Sequence, residues 1–168
     1  QYHITLNDNG GSGGSGTVTA TYLAPMPSVT PPTRTGYTFN GYFDAASGGT
    51  KYYDANGSSA KNWDKTAATT LYAQWTANTY DVTFNKNAND ATGTMSSQSF
   101  IYDKEKALSE NKFQYTGYDF AGWAKSSGGN VEFTNRQSVK NLTATPNGTV
   151  ELFAKWTLHE YNITYELN

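Results

Sequence analysis

Apolar and polar residues alternate along several short stretches of this chain, which is the pattern of a β-strand with one buried face. In residues 2–7, Tyr2, Ile4 and Leu6 occupy alternate positions, and residues 80–84 repeat the arrangement. The alternation therefore predicts a first strand in each half of the chain. The same pattern predicts further strands at residues 18–22, 37–43, 71–75, 100–102, 118–122 and 152–156.

Helix-forming stretches are few and short. Residues 107–112 predict one or two helical turns, but the corresponding stretch of the first half contains four prolines, which interrupt a helix. Residues 58–63 and 136–142 form a better pair of helix candidates, although each needs tertiary contacts to be stable. Gly41 and Gly122 stand where a strand would place a core side chain, which indicates a bulge or a close backbone approach.

The two halves of the chain are copies of one another. The matched motifs recur 78 to 81 residues apart, and the first of them begins again near the C-terminal end. The matches are YHITLN at 2–7 with YDVTFN at 80–85 and YNITY at 161–165, TGYTFNGY at 35–42 with TGYDFAGW at 116–123, and LYAQWT at 71–76 with LFAKWT at 152–157.

This period predicts a tandem organisation. We expect repeat module 1 at residues 1–79, repeat module 2 at residues 80–160, and the first strand of a truncated third repeat at residues 161–168. A module that stopped after one strand would leave an unpaired edge, so we expect the chain to be an excerpt from a longer array.

Composition excludes several functional classes. Lys plus Arg is 12 and Asp plus Glu is 14, so the net charge of −2 gives no basic surface for nucleic acid. No run approaches the roughly 20 apolar residues of a membrane-spanning helix, so we expect no membrane insertion in this segment. The chain has no cysteine, which excludes disulfides and thiolate metal sites.

Candidate chemical groups are sparse. The two histidines, His3 and His159, lie at module edges with no recognisable nucleophile or carboxylate partner, so no catalytic residue and no cofactor are expected. No metal-ligand spacing appears. Residues 85–90 cluster amide and carboxylate oxygens, for which a turn and a weak calcium site are the alternatives, the turn being favoured.

Aromatic residues are the one abundant material for binding, at 15% of the chain. In small modules without disulfides, most such rings are needed in the core, which is where we expect Trp75 and Trp156. Rings on the opposite strand face or in loops are the candidates for ligand binding. These are Tyr42, Tyr52, Tyr53, Trp63 and Trp123.

The motifs also carry a family resemblance. Residues 33–43, the SGGT of residues 47–50 and the LYAQW of residues 71–75 resemble the Listeria–Bacteroides repeat, also called the internalin B-repeat, and the second copy fits the same pattern. The resemblance implies small β-grasp-like, ubiquitin-like modules in tandem, found in secreted and surface-anchored bacterial proteins. It implies no catalytic residues.

The function predicted from these observations is structural. We expect a non-catalytic spacer or stalk of a secreted or cell-surface bacterial protein, whose modules contact neighbouring repeats of the same chain and a protein or glycan partner on a host or cell wall. The alternative is a carbohydrate-binding module that uses exposed aromatic rings. Quenching of tryptophan emission by soluble glycans, abolished by Trp123→Ala or Tyr42→Ala with stability retained, would distinguish the second from the first.

Overall fold

A computed structural model describes residues 1–165 of the chain. The chain divides into two compact units, the first at Gln1–Asn78 and the second beginning at Thr79. Residues 161–165 lie in no strand, and residues 166–168 of the predicted third repeat lie outside the described residues. The assignment of residues 161–168 to a third repeat stays a prediction.

The first unit is a curled five-stranded sheet. Its strand order is β2-β1-β5-β3-β4, with β1 parallel to β5 and the other neighbours antiparallel. Parallel neighbours need a long connection between them, and here the rest of the unit forms that connection. The strands are β1 Tyr2–Asn7, β2 Thr17–Ala20, β3 Tyr37–Phe43, β4 Lys51–Tyr53 and β5 Thr69–Ala77.

The second unit repeats this plan with four strands in its main sheet. The order is β7-β6-β11-β9, again with a central parallel pair, β6 and β11. Two further strands, β8 and β10, form a separate antiparallel pair. The strands are β6 Thr79–Asn85, β7 Gln98–Ile101, β8 Lys106–Ala107, β9 Tyr118–Ala124, β10 Ser138–Val139 and β11 Gly148–Leu158.

The predicted fold class is wrong in its helical part. Residues 1–165 contain no helix, so the units are all-β with curled half-barrel sheets, and neither α+β nor β-grasp describes them. The helix candidates bond to distant segments instead of to their own backbone. The backbone N–H of Trp63 donates to the carbonyl of Ala24, and the backbone N–H of Leu108 donates to the carbonyl of Gln137. Such bonds leave no i to i+4 ladder for a helix.

A bulge in β3 and another in β9 change which residues face the core. The register of β3 against β5 shifts between Phe39 and Gly41, so Asn40 is an extra residue, and a matching shift occurs in β9. Beyond the extra residue the alternation is inverted. Tyr42 and Trp123 therefore point into the core, as Phe39 does three residues before Tyr42.

Each unit has its own aromatic core. The first is built mainly from tyrosine and tryptophan rings around aliphatic strand residues, and the second around Trp123. Trp75 and Trp156, predicted as core, are packed against these clusters but keep part of their surface exposed. The bulkiest fully buried side chains are Trp63, Trp123, Tyr42, Tyr52, Tyr53, Tyr80 and Phe100.

Candidate functional site

The five rings predicted to bind a ligand all lie inside the two cores. Tyr42, Trp63, Tyr53 and Trp123 are 0% exposed, and Tyr52 is 1% exposed. The bulges turn Tyr42 and Trp123 into the cores of their own units. The two tyrosines of β4, Tyr52 and Tyr53, point into the same core as Tyr42. Stacking on a sugar needs an exposed ring face, and these five side chains present none.

The buried tyrosines of the first unit form specific hydrogen bonds. The Tyr42 hydroxyl donates to Asp8 over 2.9 Å, and the Tyr52 hydroxyl donates to Asp64 over 2.5 Å. Burial, followed by these carboxylates, raises the pKa of both hydroxyls far above the ordinary value. Burial alone raises the pKa of Tyr53 to about 12. Each hydroxyl is therefore a stabilising donor that stays protonated.

The oxygen-rich loop of residues 85–90 is organised as a turn. Asn87 has a left-handed backbone (φ 54°), and its N–H donates to the side-chain oxygen of Asn85 over 2.9 Å. The Asn87 side-chain amide donates to the carbonyls of Ala154 and Ser127, each over 3.0 Å. Within residues 1–165, no group of three or more acidic, histidine or cysteine side chains is placed to hold a metal ion.

The first unit contains the same turn. Asn9 has a φ of 46°, and its backbone N–H donates to the side-chain oxygen of Asn7. The Asn9 side-chain amide donates to the carbonyls of Ala73 (2.8 Å) and Ala46 (3.3 Å). Each turn joins the end of a first strand to the last strand of its unit. We call these two turns the asparagine locks.

A tryptophan of the last strand completes each lock. The Trp75 indole N–H donates to the carbonyl of Asp8 over 3.1 Å, and the Trp156 indole N–H donates to the carbonyl of Lys86 over 2.8 Å. The two tryptophans are consequently held at the edge of each core by their polar end, with part of the ring exposed.

Four half-exposed rings of the second unit gather at one cleft. Tyr115 and Tyr118 stack in parallel, with centroids 4.1 Å apart and planes 2° apart, and Trp156 meets Tyr115 edge-on at 5.8 Å. Phe120 packs edge-on against Trp156. These four rings line a cleft of about 370 Å³, which we call the Tyr115 cleft.

Polar groups stand at the rim of the Tyr115 cleft. Asp119 and His159 both line it and are exposed, with the His159 Nε2 3.6 Å from an Asp119 oxygen. His159 is positioned by its backbone N–H, which donates to the carbonyl of Gly117 over 2.8 Å. The cleft thus combines apolar ring surfaces with a carboxylate and an imidazole at its edge.

The equivalent place in the first unit is built differently. Arg34 occupies the position of Tyr115, and its guanidinium lies 3.8 Å from the centroid of the Tyr37 ring. A cation–π contact thus replaces the tyrosine stack. The sequence carries this difference, RTGY in the first copy against YTGY in the second, and a comparison of positions that differ between the copies would have singled out Tyr115.

Comparison with known proteins identifies the repeat. The Listeria-Bacteroides repeat domain family matches residues 2–74 and again residues 80–155. Internalin H of Listeria monocytogenes is 35% identical over 164 residues, which is 94% of this chain and 26% of that protein. A "Putative Gly-rich membrane protein" of Evansella cellulosilytica is 30% identical over 137 residues, 80% of this chain and 16% of that protein.

The chain spans about a quarter or less of the length of these relatives. No solved structure matches it. Among the described residues, none belongs to a helix with the length and apolar character needed to cross a bilayer. Because both matched segments together cover most of the sequence, the chain belongs to the Listeria-Bacteroides repeat domain family.

Proposed function

We propose that the chain is a non-catalytic structural array of a secreted or surface-anchored bacterial protein, in which the units act as spacers. Family membership and the names of the relatives, an internalin and a membrane protein, support a place at the bacterial surface. In such an array each unit contacts mainly its neighbours, and length is set by the number of repeats.

The observation that carries the proposal is what the two copies share. Both keep the central parallel strand pair, the bulged glycine strand and the asparagine lock with its tryptophan. Positions with charged or histidine side chains mostly differ, since Asp44 aligns with Lys125 and His3 aligns with Asp81. The repeat therefore preserves groups that hold the fold together, which is expected of a spacer.

Solution scattering and unit-specific unfolding test the spacer role. The chain should scatter as an extended particle, and unfolding the second unit with Trp123→Ala should leave the NMR resonances of the first unit in place. The wild-type chain is the control for both measurements. A compact particle as wide as a single fused domain, or loss of both units in the variant, would contradict the proposal.

The Tyr115 cleft favours a second function, contact with a glycan on a host cell or a cell wall. Partly exposed aromatic rings offer flat apolar surfaces for the C–H face of a pyranose, and Asp119 and His159 can bond to its hydroxyls. The cleft has little charge, which suits a neutral sugar. This contact would make the array adhesive as well as structural.

Glycan binding is tested with a panel of host and cell-wall oligosaccharides. Binding should shift the NMR resonances of Tyr115 and Tyr118 and the emission of Trp156. The matched variant is Tyr115→Arg, because the first unit already accommodates Arg34 against Tyr37. It should remove binding and keep the fold. No response across the panel, or an undiminished response in Tyr115→Arg, would rule out the cleft as the glycan site.

A further inference from the structure

The path of the chain through each unit fixes how a pulling force would act on it. The first unit begins with β1 and ends with β5, and these two strands are parallel neighbours at the centre of the sheet. The second unit begins with β6 and ends with β11 in the same arrangement. In parallel strands the start of one and the end of the other lie at opposite ends of the pair.

We propose that each unit is a load-bearing clamp, in which tension along the array shears its first strand against its last. This inference rests on the proposed spacer role and adds a mechanical function to it. The force reaches each unit through the neighbouring repeats, and the paired first and last strands of the unit resist it.

Shear differs from peeling in how the hydrogen bonds are loaded. When parallel strands are pulled from opposite ends, all the bonds between them carry the force together and break together. When they are pulled apart from the same end, the bonds break one after another at lower force. No other strand pair lies between the two loaded strands, so the force passes directly across β1–β5 or β6–β11.

The asparagine locks strengthen the same interface. Just beyond the end of β1, the Asn9 amide bonds to the carbonyl of Ala73, and the Trp75 indole bonds to the carbonyl of Asp8. Both bonds join the segment that follows the first strand to the last strand. A sliding motion of β1 along β5 must therefore break them in addition to the backbone ladder.

The two clamps have different lengths. The β1–β5 register contains four residue pairs, and the β6–β11 register contains six. In the second unit the Asn85 amide also donates across the pair to Glu151 over 3.0 Å. We therefore expect the first unit to rupture before the second when both are pulled in series.

Single-molecule pulling in two directions tests the clamp. The chain has no cysteine, so pulling handles that react with thiols attach only where a cysteine is introduced. Exposed Gln1→Cys and Glu160→Cys load both units end to end, whereas exposed His3→Cys and Ala68→Cys pull β1 and β5 apart from one end. The end-to-end rupture force should be at least about twofold higher than the force in the second geometry. Equal forces would overturn the clamp.

Substitutions separate mechanical strength from ordinary stability. Trp75→Phe keeps an aromatic ring but removes the indole N–H that donates to Asp8. In end-to-end pulling it should lower the force at which the first unit ruptures. Val18→Ala, on β2 outside the loaded pair, should lower the urea midpoint and leave that force unchanged. If Val18→Ala lowered the rupture force and Trp75→Phe left it unchanged, the proposed path of force through β1 and β5 would be refuted.

The clamp and the spacer role can fail separately. An array that scatters as an extended particle but ruptures at the same force in both directions would keep the spacer and overturn the clamp. A compact particle would overturn the spacer whatever its rupture force.

Discussion

Gly41 lies against the carbonyl oxygen of Tyr53 so closely that an added Cβ would overlap with it. The contact occurs at the bulge of β3, where Gly41 has a φ of 123°, a conformation that residues with a side chain rarely adopt. In the second unit Gly122 has a φ of 144°, and an added Cβ would lie 2.6 Å from the carbonyl oxygen of Phe133. Both bulges therefore need glycine.

Gly41→Ala should destabilise the first unit by about 3 kcal/mol, since the side chain adds an overlap to a strained backbone. Urea unfolding followed by tryptophan emission measures the loss. The matched control is Gly16→Ala, because Gly16 is exposed and has open space around its Cα. A Gly41→Ala chain as stable as the control would show that the bulge tolerates a side chain.

Asn87 contributes to the second lock through its amide and through its left-handed backbone. Asn87→Gly keeps the backbone conformation and removes two hydrogen bonds, so it should cost about 1–2 kcal/mol. Asn87→Ala should cost about 1 kcal/mol more, because alanine is strained at a φ of 54°. Urea midpoints of the two variants provide the comparison. Equal costs would show that the backbone strain has no effect here.

The two tryptophans of the second unit should differ in their contribution to stability. Trp123 is fully buried, so Trp123→Ala should cost about 4 kcal/mol, the middle of the range for large aromatic core residues. Trp156 is partly exposed, so Trp156→Ala should cost about 2–3 kcal/mol even with the loss of its bond to Lys86. A larger loss for Trp156 in calorimetry would reverse the assignment of the core.

Alkaline pH should unfold the first unit before the second. The pKa of Tyr53 is raised from 10.0 to about 12, and the pKa of Tyr42 is raised further, so the folded state disfavours the ionised hydroxyls. Their stabilising contribution is complete below the unfolded pKa of 10.0 and is lost as the pH rises towards the folded values. The corresponding residues of the second unit, Trp123 and Phe133, do not ionise.

An NMR titration above pH 10 would follow the two units separately. Tyr53→Phe should move the transition of the first unit to higher pH, whereas replacement of the exposed Tyr22 by phenylalanine should leave it in place. Simultaneous loss of both units, or an unchanged transition in Tyr53→Phe, would contradict the role of the buried hydroxyls.

Local patterning predicted eight of the eleven strands, and it missed the short strands β4, β8 and β10. The burial of Ile4, Leu6 and Val82 follows the alternation of their segments, because side chains of a strand point to opposite faces in turn. The helix candidates failed for a non-local reason. Whether Leu108 bonds to its own segment or to Gln137 depends on which strands lie beside it, and neighbouring residues do not carry that information.

The placement of the rings predicted to bind a ligand also depends on pairing between distant segments, which the local pattern does not show. Tyr42 and Trp123 look outward if the alternation of their strands is continued, and a single extra residue at each bulge turns them inward. Gly41 and Gly122 indicated that a bulge was possible, but not where the additional residue would lie. The Tyr115 cleft was missed because its rings come from a loop, from β9 and from β11, which are distant in the chain.

Short motifs and their spacing are enough to establish the period of the repeat, the faces of its first and last strands and its family. Three features emerge only from the folded structure: the absence of helices from residues 1–165, the burial of the five candidate rings, and the cleft that Tyr115, Tyr118 and Trp156 share. Register, bulge position and backbone hydrogen bonding depend on contacts between segments far apart in the chain, where the free energy of packing outweighs local preference.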